Sequence, residues 1–236
     1  MKKLAITGSD GTIGTVLKKN LSDYVITPID LPDIDVRNYD RLLEVLPNHD
    51  AVVHLAWDAK NENFRNCKIN PDNSLMFYNI YRSAIETKVP RVIMASSIHA
   101  DNFYLWRDKK LLTPDVIIGP DSPYGASKVF MESLGKYYSQ NGLEVICLRF
   151  GGVNPEDKVD IGEDGYNKVW LSHKDCVELV RTCIEAKKIS NNFLIIYGVS
   201  NNTERVHDYS NPLNWIPRDN ADNKIKQYKN KRKNKF

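Results

Sequence analysis

The stretch LAITGSDGTIG, residues 4–14, decides the fold. Its first four residues suit a short buried strand, and Gly8, Gly11 and Gly14 then mark a turn that opens a helix near Thr12. Such a turn lets the backbone and the helix N-terminus approach a pyrophosphate closely. Outward from it, strand-like and helix-like segments alternate. DYVITPID at 23–30, AVVHLAW at 51–57, RVIMASS at 91–97, LEVICLRF at 143–150 and FLIIYG at 193–198 read as further strands. Between them, RNYDRLLEVLPN carries Leu42, Leu43 and Leu46 on one helical face, NSLMFYNIYRSAIETK at 73–88 is a long helix, and a later helix bearing Tyr124 and Lys128 runs to about Gln140. That alternation builds a parallel α/β sheet with helices on both faces. Segments 98–121, 151–169 and 199–223 fall outside it and are assigned to the substrate side, because loops at the carboxyl ends of parallel strands form the ligand crevice. The expected division is a nucleotide-binding core at 1–150, substrate-side elements at 151–223 that complete the same compact unit as a small C-terminal cap, and a tail at 224–236.

With 236 residues, 42% hydrophobic and 27% charged, the chain can bury a sizeable core. Its apolar runs fall far short of the ~20 residues a membrane helix needs. The apolar stretch after Lys2 and Lys3 stops at Gly8 and Asp10, so it reads as a strand rather than a signal peptide, and a cytoplasmic protein is expected. Cys67, Cys147, Cys176 and Cys183 have neither disulfide nor metal-ligand spacing, so no metal is expected. The net charge is +3, but KIKQYKNKRKNKF at 224–236 holds seven basic residues and no acid, which leaves −4 for the rest. This run is read as a solvated, disordered tail rather than a nucleic-acid arm.

The chemistry points to Ser97 in SSIHA, followed by Tyr124 and Lys128 in YGASK. A Tyr and a Lys four residues apart share a helix face, so the ammonium can favour the ionised phenol. Such a phenol exchanges a proton with a substrate hydroxyl. Asp30, at the end of the second strand, suits the ribose hydroxyls of an adenosine and repels a 2′-phosphate, which favours NAD over NADP. Thr12 and Ile13 in the turn, and Leu55 and Ala56 where the third strand ends, are placed on the same cofactor. Asp35 and Val36 suit the adenine, although Asp35 is equally well explained as a helix N-cap.

These residues resemble the extended short-chain dehydrogenase/reductases, the NAD-dependent epimerase/dehydratase family. The TGxxGxxG turn, the Ser ahead of YxxxK and Asn73 at the start of the long helix carry the resemblance. PDSPYGASKVFMESLG at 120–135, VWLSHKDCVELV at 169–180, and IIYGVSNN followed by WIPRDNA are most similar to uronate dehydrogenases and archaeal NAD-dependent glucose-6-phosphate dehydrogenases. The resemblance implies a Rossmann-type doubly wound sheet, bound NAD, and oxidation of a cyclic sugar at its anomeric carbon to a lactone. It implies Tyr124 as base, Lys128 as holder of the nicotinamide ribose, Ser97 as second partner of the hydroxyl, and Asn73 shaping the active-site helix and a proton path. It further implies substrate contacts at Ser97, Ile98, His99, Tyr124 and Gly152, and a homodimer.

Three departures bear on the substrate. Ile98 stands where relatives carry Asn, Gly152 where they carry Ser or Asn, and GEDGYNKVWLS lacks the arginine that binds a uronate carboxylate. They weaken a hexuronate substrate and point to a different sugar. One rival is a nucleotide-sugar epimerase or dehydratase, but no Asp-Glu pair follows Ser97 and only residues 151–236 are left to grip a nucleotide. The other is a non-catalytic NAD-binding regulator, against which the intact Ser–Tyr–Lys set argues.

Overall fold

The structure, a computed structural model, describes residues 1–58, 67–101, 111–115 and 119–233. Among them six parallel strands form one sheet: β1 (Lys3–Thr7), β2 (Val25–Ile29), β3 (Ala51–His54), β4 (Arg91–Ser97), β5 (Glu144–Phe150) and β6 (Phe193–Gly198), in the order β2-β1-β3-β4-β5-β6. Each strand expected from the sequence is present. β3 is shorter than its apolar run, so Leu55, Ala56 and Trp57 lie beyond its carboxyl end. The chain winds outward in both directions from β1 and β3, and the crevice opens where the order reverses.

The helices are α1 (Thr12–Asn20), α2 (Tyr39–Val45), α3 (Pro71–Glu86), α4 (Pro123–Ser139), the short α5 (Tyr166–Val169), α6 (His173–Glu185) and α7 (Ala221–Lys233). α1 and α6 cover one face, with Leu17, Leu21, Leu179 and Val180 packed on Ile6, Ile146 and Ile196. α2, α3 and α4 cover the other, where Leu42, Phe77, Ile80, Tyr81 and Met131 meet Ala5, Val52, Val92 and Val145. Local chemistry sets the starts. The side chains of Asn38, Asn70, Ser122 and Ser172 accept backbone N–H groups of α2, α3, α4 and α6, and Pro71 and Pro123 occupy first-turn positions where no N–H is needed. Asn38, not Asp35, therefore caps α2.

The segment 224–236, expected to be a disordered tail, is helical through Lys233, and residues 234–236 lie outside the described part. The reason is a set of anchors that the lysine run hides. Asn220 accepts the Asn223 N–H, Ala221 and Ile225 pack with Val159, Trp170 and Tyr166, and Lys224 pairs with Asp157 at 2.7 Å. The expected loops at 58–70 and 98–121 fall partly outside the described residues. No helix among the described residues is long and apolar enough to cross a membrane. Cys176 and Cys183 face the core from α6, and burial pushes both thiols up to about 12, which leaves them inert.

Candidate functional site

A cleft of about 560 Å³ opens at the carboxyl ends of β1, β3, β4 and β5. Its first half is built by the glycine turn. Gly8 has φ +64°, and a Cβ on it would stand 2.6 Å from the Ala56 nitrogen; one on Gly14 would stand 2.6 Å from the Ser9 carbonyl oxygen. Only glycine lets this turn fold onto the end of β3 while α1 starts hard against β1. Gly11 caps α1 without a side chain over the helix end, which leaves that end open to an anion. Asp30 closes β2 and accepts the Asp10 N–H at 2.8 Å, so its carboxylate is held beside the turn.

Gly8, Gly11, Thr12, Ile13, Gly14, Leu55 and Lys128 line the cleft as expected, whereas Asp30, Asp35, Val36 and Ala56 do not border it. Ala56 lies behind the turn, its N–H donating to Thr7 Oγ1 at 3.2 Å. Val36 is buried in the core beneath α2. Asp35 is gripped by Arg37, which also bridges to Asp72 at 2.7 Å; the guanidinium holds the Asp35 carboxyl below the usual carboxylate range. A free helix end, a glycine-lined floor and a carboxylate at the tip of β2 together fit a dinucleotide.

The second half gathers around Tyr124. β4 ends at Ser97, whose side chain is buried and hydrogen-bonds both the His99 N–H, at 3.3 Å, and the Tyr124 phenol. Burial pushes the phenol up, Asp121 adds to the rise, and the Ser97 bond opposes it. Lys128, one turn along α4, is 3% exposed. Its ammonium donates to the Ala95 carbonyl at 2.7 Å, lies 3.4 Å from the centre of the Trp57 ring and stands 5.6 Å from the Tyr124 ring centre. Burial pulls it down to about 7, while Glu132 favours its charge. The expectation that Lys128 would lower the Tyr124 phenol is thus not met in this state, because burial dominates both groups and the ammonium addresses Ala95 and Trp57.

Glu132 belongs to a buried network under the site. It accepts from Arg149 Nε at 2.9 Å, from Arg149 Nη2 at 2.8 Å and from Ser96 Oγ at 2.5 Å, and Arg149 Nη1 donates to the Tyr197 hydroxyl at 3.2 Å. Asn73 borders the cleft as expected, but it is not a cap. Its Oδ1 accepts the Asp58 N–H at 2.7 Å and its Nδ2 donates to the Asp58 carbonyl at 3.3 Å, which pins the chain leaving β3.

His99 meets Asp121 through Nδ1 at 2.5 Å and stands edge-on to Tyr124, with ring centres 5.7 Å apart. Ile98 and Gly152 also line this half. Trp57, Glu163 and Tyr166 line the cleft without having been singled out, and Asp121 supports it from behind. For Trp57 the available signal was an aromatic just past an apolar strand. The other three are brought in by long-range packing.

Residues 4–155 match the model of the NAD dependent epimerase/dehydratase family. The chain is 33% identical to an L-arabinose 1-dehydrogenase (NAD(P)(+)) of Haloferax volcanii, over 94% of this chain and 98% of the relative. It is 29% identical to a uronate dehydrogenase of Agrobacterium fabrum, over 94% and 86%. Its fold superposes on the crystal structure of a variant uronate dehydrogenase from Agrobacterium tumefaciens complexed with NAD, with a TM-score of 0.82, 26% identity and coverage of 98% and 89%. The matched residues include the glycine turn, Ser97, Tyr124 and Lys128, so the chain belongs to the NAD dependent epimerase/dehydratase family and takes NAD as its cofactor.

Proposed function

We propose that this protein is a sugar dehydrogenase that oxidises a ring hydroxyl, at the anomeric carbon to a lactone, with net reduction of NAD⁺. The observation that carries this reading is the Tyr124 phenol, hydrogen-bonded to Ser97 and one helical turn from Lys128, in the same cleft as the glycine turn. NAD, when bound, supplies the hydride acceptor. Tyr124 takes the hydroxyl proton and Ser97 donates to the substrate oxygen. Lys128 holds the nicotinamide ribose, and Gly8, Gly11, Thr12, Ile13 and Gly14 hold the pyrophosphate beside the free end of α1. Asp30 accepts the adenosine ribose hydroxyls. Asn73 fixes the floor through Asp58, and His99, steadied by Asp121, faces the sugar. Relatives named as arabinose and uronate dehydrogenases support a sugar as the substrate. A homodimer belongs to the same reading, since Leu75, Tyr78, Ile85, Phe130 and Tyr137 are exposed on α3 and α4; sedimentation velocity reads it directly.

The test is absorbance at 340 nm with NAD⁺ and a panel of aldoses, hexuronates and sugar phosphates. Stoichiometric NADH formation with at least one sugar is expected. Conversion of a nucleotide sugar with no net NADH would instead establish the epimerase reading.

A further inference from the structure

The chain leaving β5 lies bare at Gly152. Ser97 and Phe150 are register partners on β4 and β5, and beyond them Ile98, His99, Gly152 and Val153 line one end of the cleft. A Cβ on Gly152 would stand 2.5 Å from Cε2, 2.6 Å from Cζ and 2.9 Å from Oη of Tyr166. The phenol ring therefore occupies the place of a side chain at 152. It is held there from the sides that face away from the cleft. Asn154 Nδ2 donates to its hydroxyl at 3.0 Å, and the Gly152 N–H donates to the Val169 carbonyl at 2.9 Å. Behind it, Tyr166 packs against the cluster of Val159, Trp170 and Ala221, the last of which is the first residue of α7, so α7 buttresses the wall.

The charges around this end have one bias. Glu163 lines the cleft three residues before Tyr166, and no arginine is among the described lining residues. Lys68 and Asp58 enter from the β3–α3 connection, and β4 separates β3 from β5, which carries Gly152. Lys128 is buried against Ala95 and Trp57. Among the described residues that line the Gly152 end, an anionic group on a sugar would thus meet a carboxylate and an aromatic ring and no arginine, which is strongly unfavourable in a partly dry site. An uncharged sugar can lay its C–H face on the ring.

We propose that Tyr166 is the specificity-determining residue of this site: seated on Gly152 and backed by α7, its ring forms the sugar wall that, with Glu163, selects an uncharged aldose over sugar acids and sugar phosphates. This rests on the dehydrogenase reading above. The experiment measures kcat and KM with NAD⁺ for L-arabinose, D-glucose, D-glucuronate and D-glucose 6-phosphate in the wild type, Tyr166→Ala, Tyr166→Phe and Glu163→Gln, with NAD⁺ affinity measured separately. The wild type is expected to favour a neutral sugar by at least about a hundredfold in kcat/KM. Tyr166→Phe keeps that ranking. Tyr166→Ala lowers the neutral-to-anionic ratio at least about tenfold, chiefly through the KM of the neutral sugar, and leaves NAD⁺ affinity unchanged. Glu163→Gln lowers the ratio by raising turnover of the anionic sugars. Should Tyr166→Ala fail to fold, Gly152→Ala, whose methyl displaces the ring, serves as the second route to the same loss of ratio. NAD⁺ reduction with ratios unchanged within about twofold in these variants, or a wild type that prefers glucuronate or glucose 6-phosphate, overturns the inference and leaves the dehydrogenase reading intact. NAD⁺ reduction by none of the four sugars overturns both.

Discussion

Replacing Glu132 with Gln changes one charge at nearly constant shape and exposes the energetics of the site's foundation. Glu132 is 3% exposed and Arg149 1%, and two N–H···O bonds of 2.8 and 2.9 Å join them. Glutamine keeps one acceptor but leaves the guanidinium without its anion in the interior. Breaking a buried pair in this way costs about 3–5 kcal/mol. For a chain of this size that corresponds to a fall in Tm of about 6–20 °C. The double substitution Glu132→Gln, Arg149→Met removes the stranded charge and is expected to recover most of the loss. Thermal and urea unfolding of the three proteins measure the difference. A loss below about 1 kcal/mol in the single variant, or a double variant no more stable than the single, refutes the reasoning. Lys128 gives a second readout, because Glu132 favours its charge against burial. Folding lowers this lysine from 10.5 to about 7, so between those values the unfolded chain binds more protons and stability rises with pH. Losing Glu132 lowers the Lys128 value further, so the rise begins at a lower pH than in the wild type.

Three further outcomes follow from the same geometry. Ser97→Ala removes the hydrogen bond that opposes burial at Tyr124, so the phenol rises further and the ascending limb of the sugar-oxidation pH profile, where the base loses its proton, moves to higher pH; an unmoved or lowered limb contradicts it. Trp57→Leu takes away the ring face 3.4 Å from the Lys128 ammonium. A desolvated contact of about 2 kcal/mol corresponds to a fall of roughly one unit or more in the Lys128 value, which NMR of labelled lysine reads, and no change sinks the assignment. Ala221→Asp places a charge at a 1% exposed position, the first of α7, against Trp170 and Val159 and should cost about 2 kcal/mol or more in urea unfolding; a neutral effect would mean that α7 is not docked.

What the sequence made legible is local or periodic. The strands from LAIT to FLIIYG are apolar runs bounded by turn residues, and Gly8, Gly11, Gly14, Ser97, Tyr124 and Lys128 sit in patterns that only one turn or helix face can use. What it hid depends on contacts between distant residues. Trp57 reads as the end of a strand until β3 stops at His54 and the ring swings under Lys128. Tyr166 reads as loop until Gly152, 14 residues earlier, receives its ring. The lysines of 224–233 mask the spacing of Ala221, Ile225 and Tyr228, three and four residues apart, which docks α7; Tyr228 donates to the Asp157 carbonyl at 3.2 Å. Asp35 was open between adenine contact and helix cap. The structure gives it to Arg37, because a guanidinium two residues away offers a forked partner that neither alternative supplies.

The central claim is that Tyr124 moves the proton in an NAD-dependent oxidation, and Tyr124→Phe tests it most directly. The variant loses a single oxygen from a side chain whose ring contacts with Trp57 and His99 remain. Steady-state NADH formation with the best sugar, measured beside NAD⁺ affinity, should fall at least about a hundredfold in kcat while NAD⁺ affinity stays within about threefold. Wild-type kcat in Tyr124→Phe with NAD⁺ still bound would contradict the account.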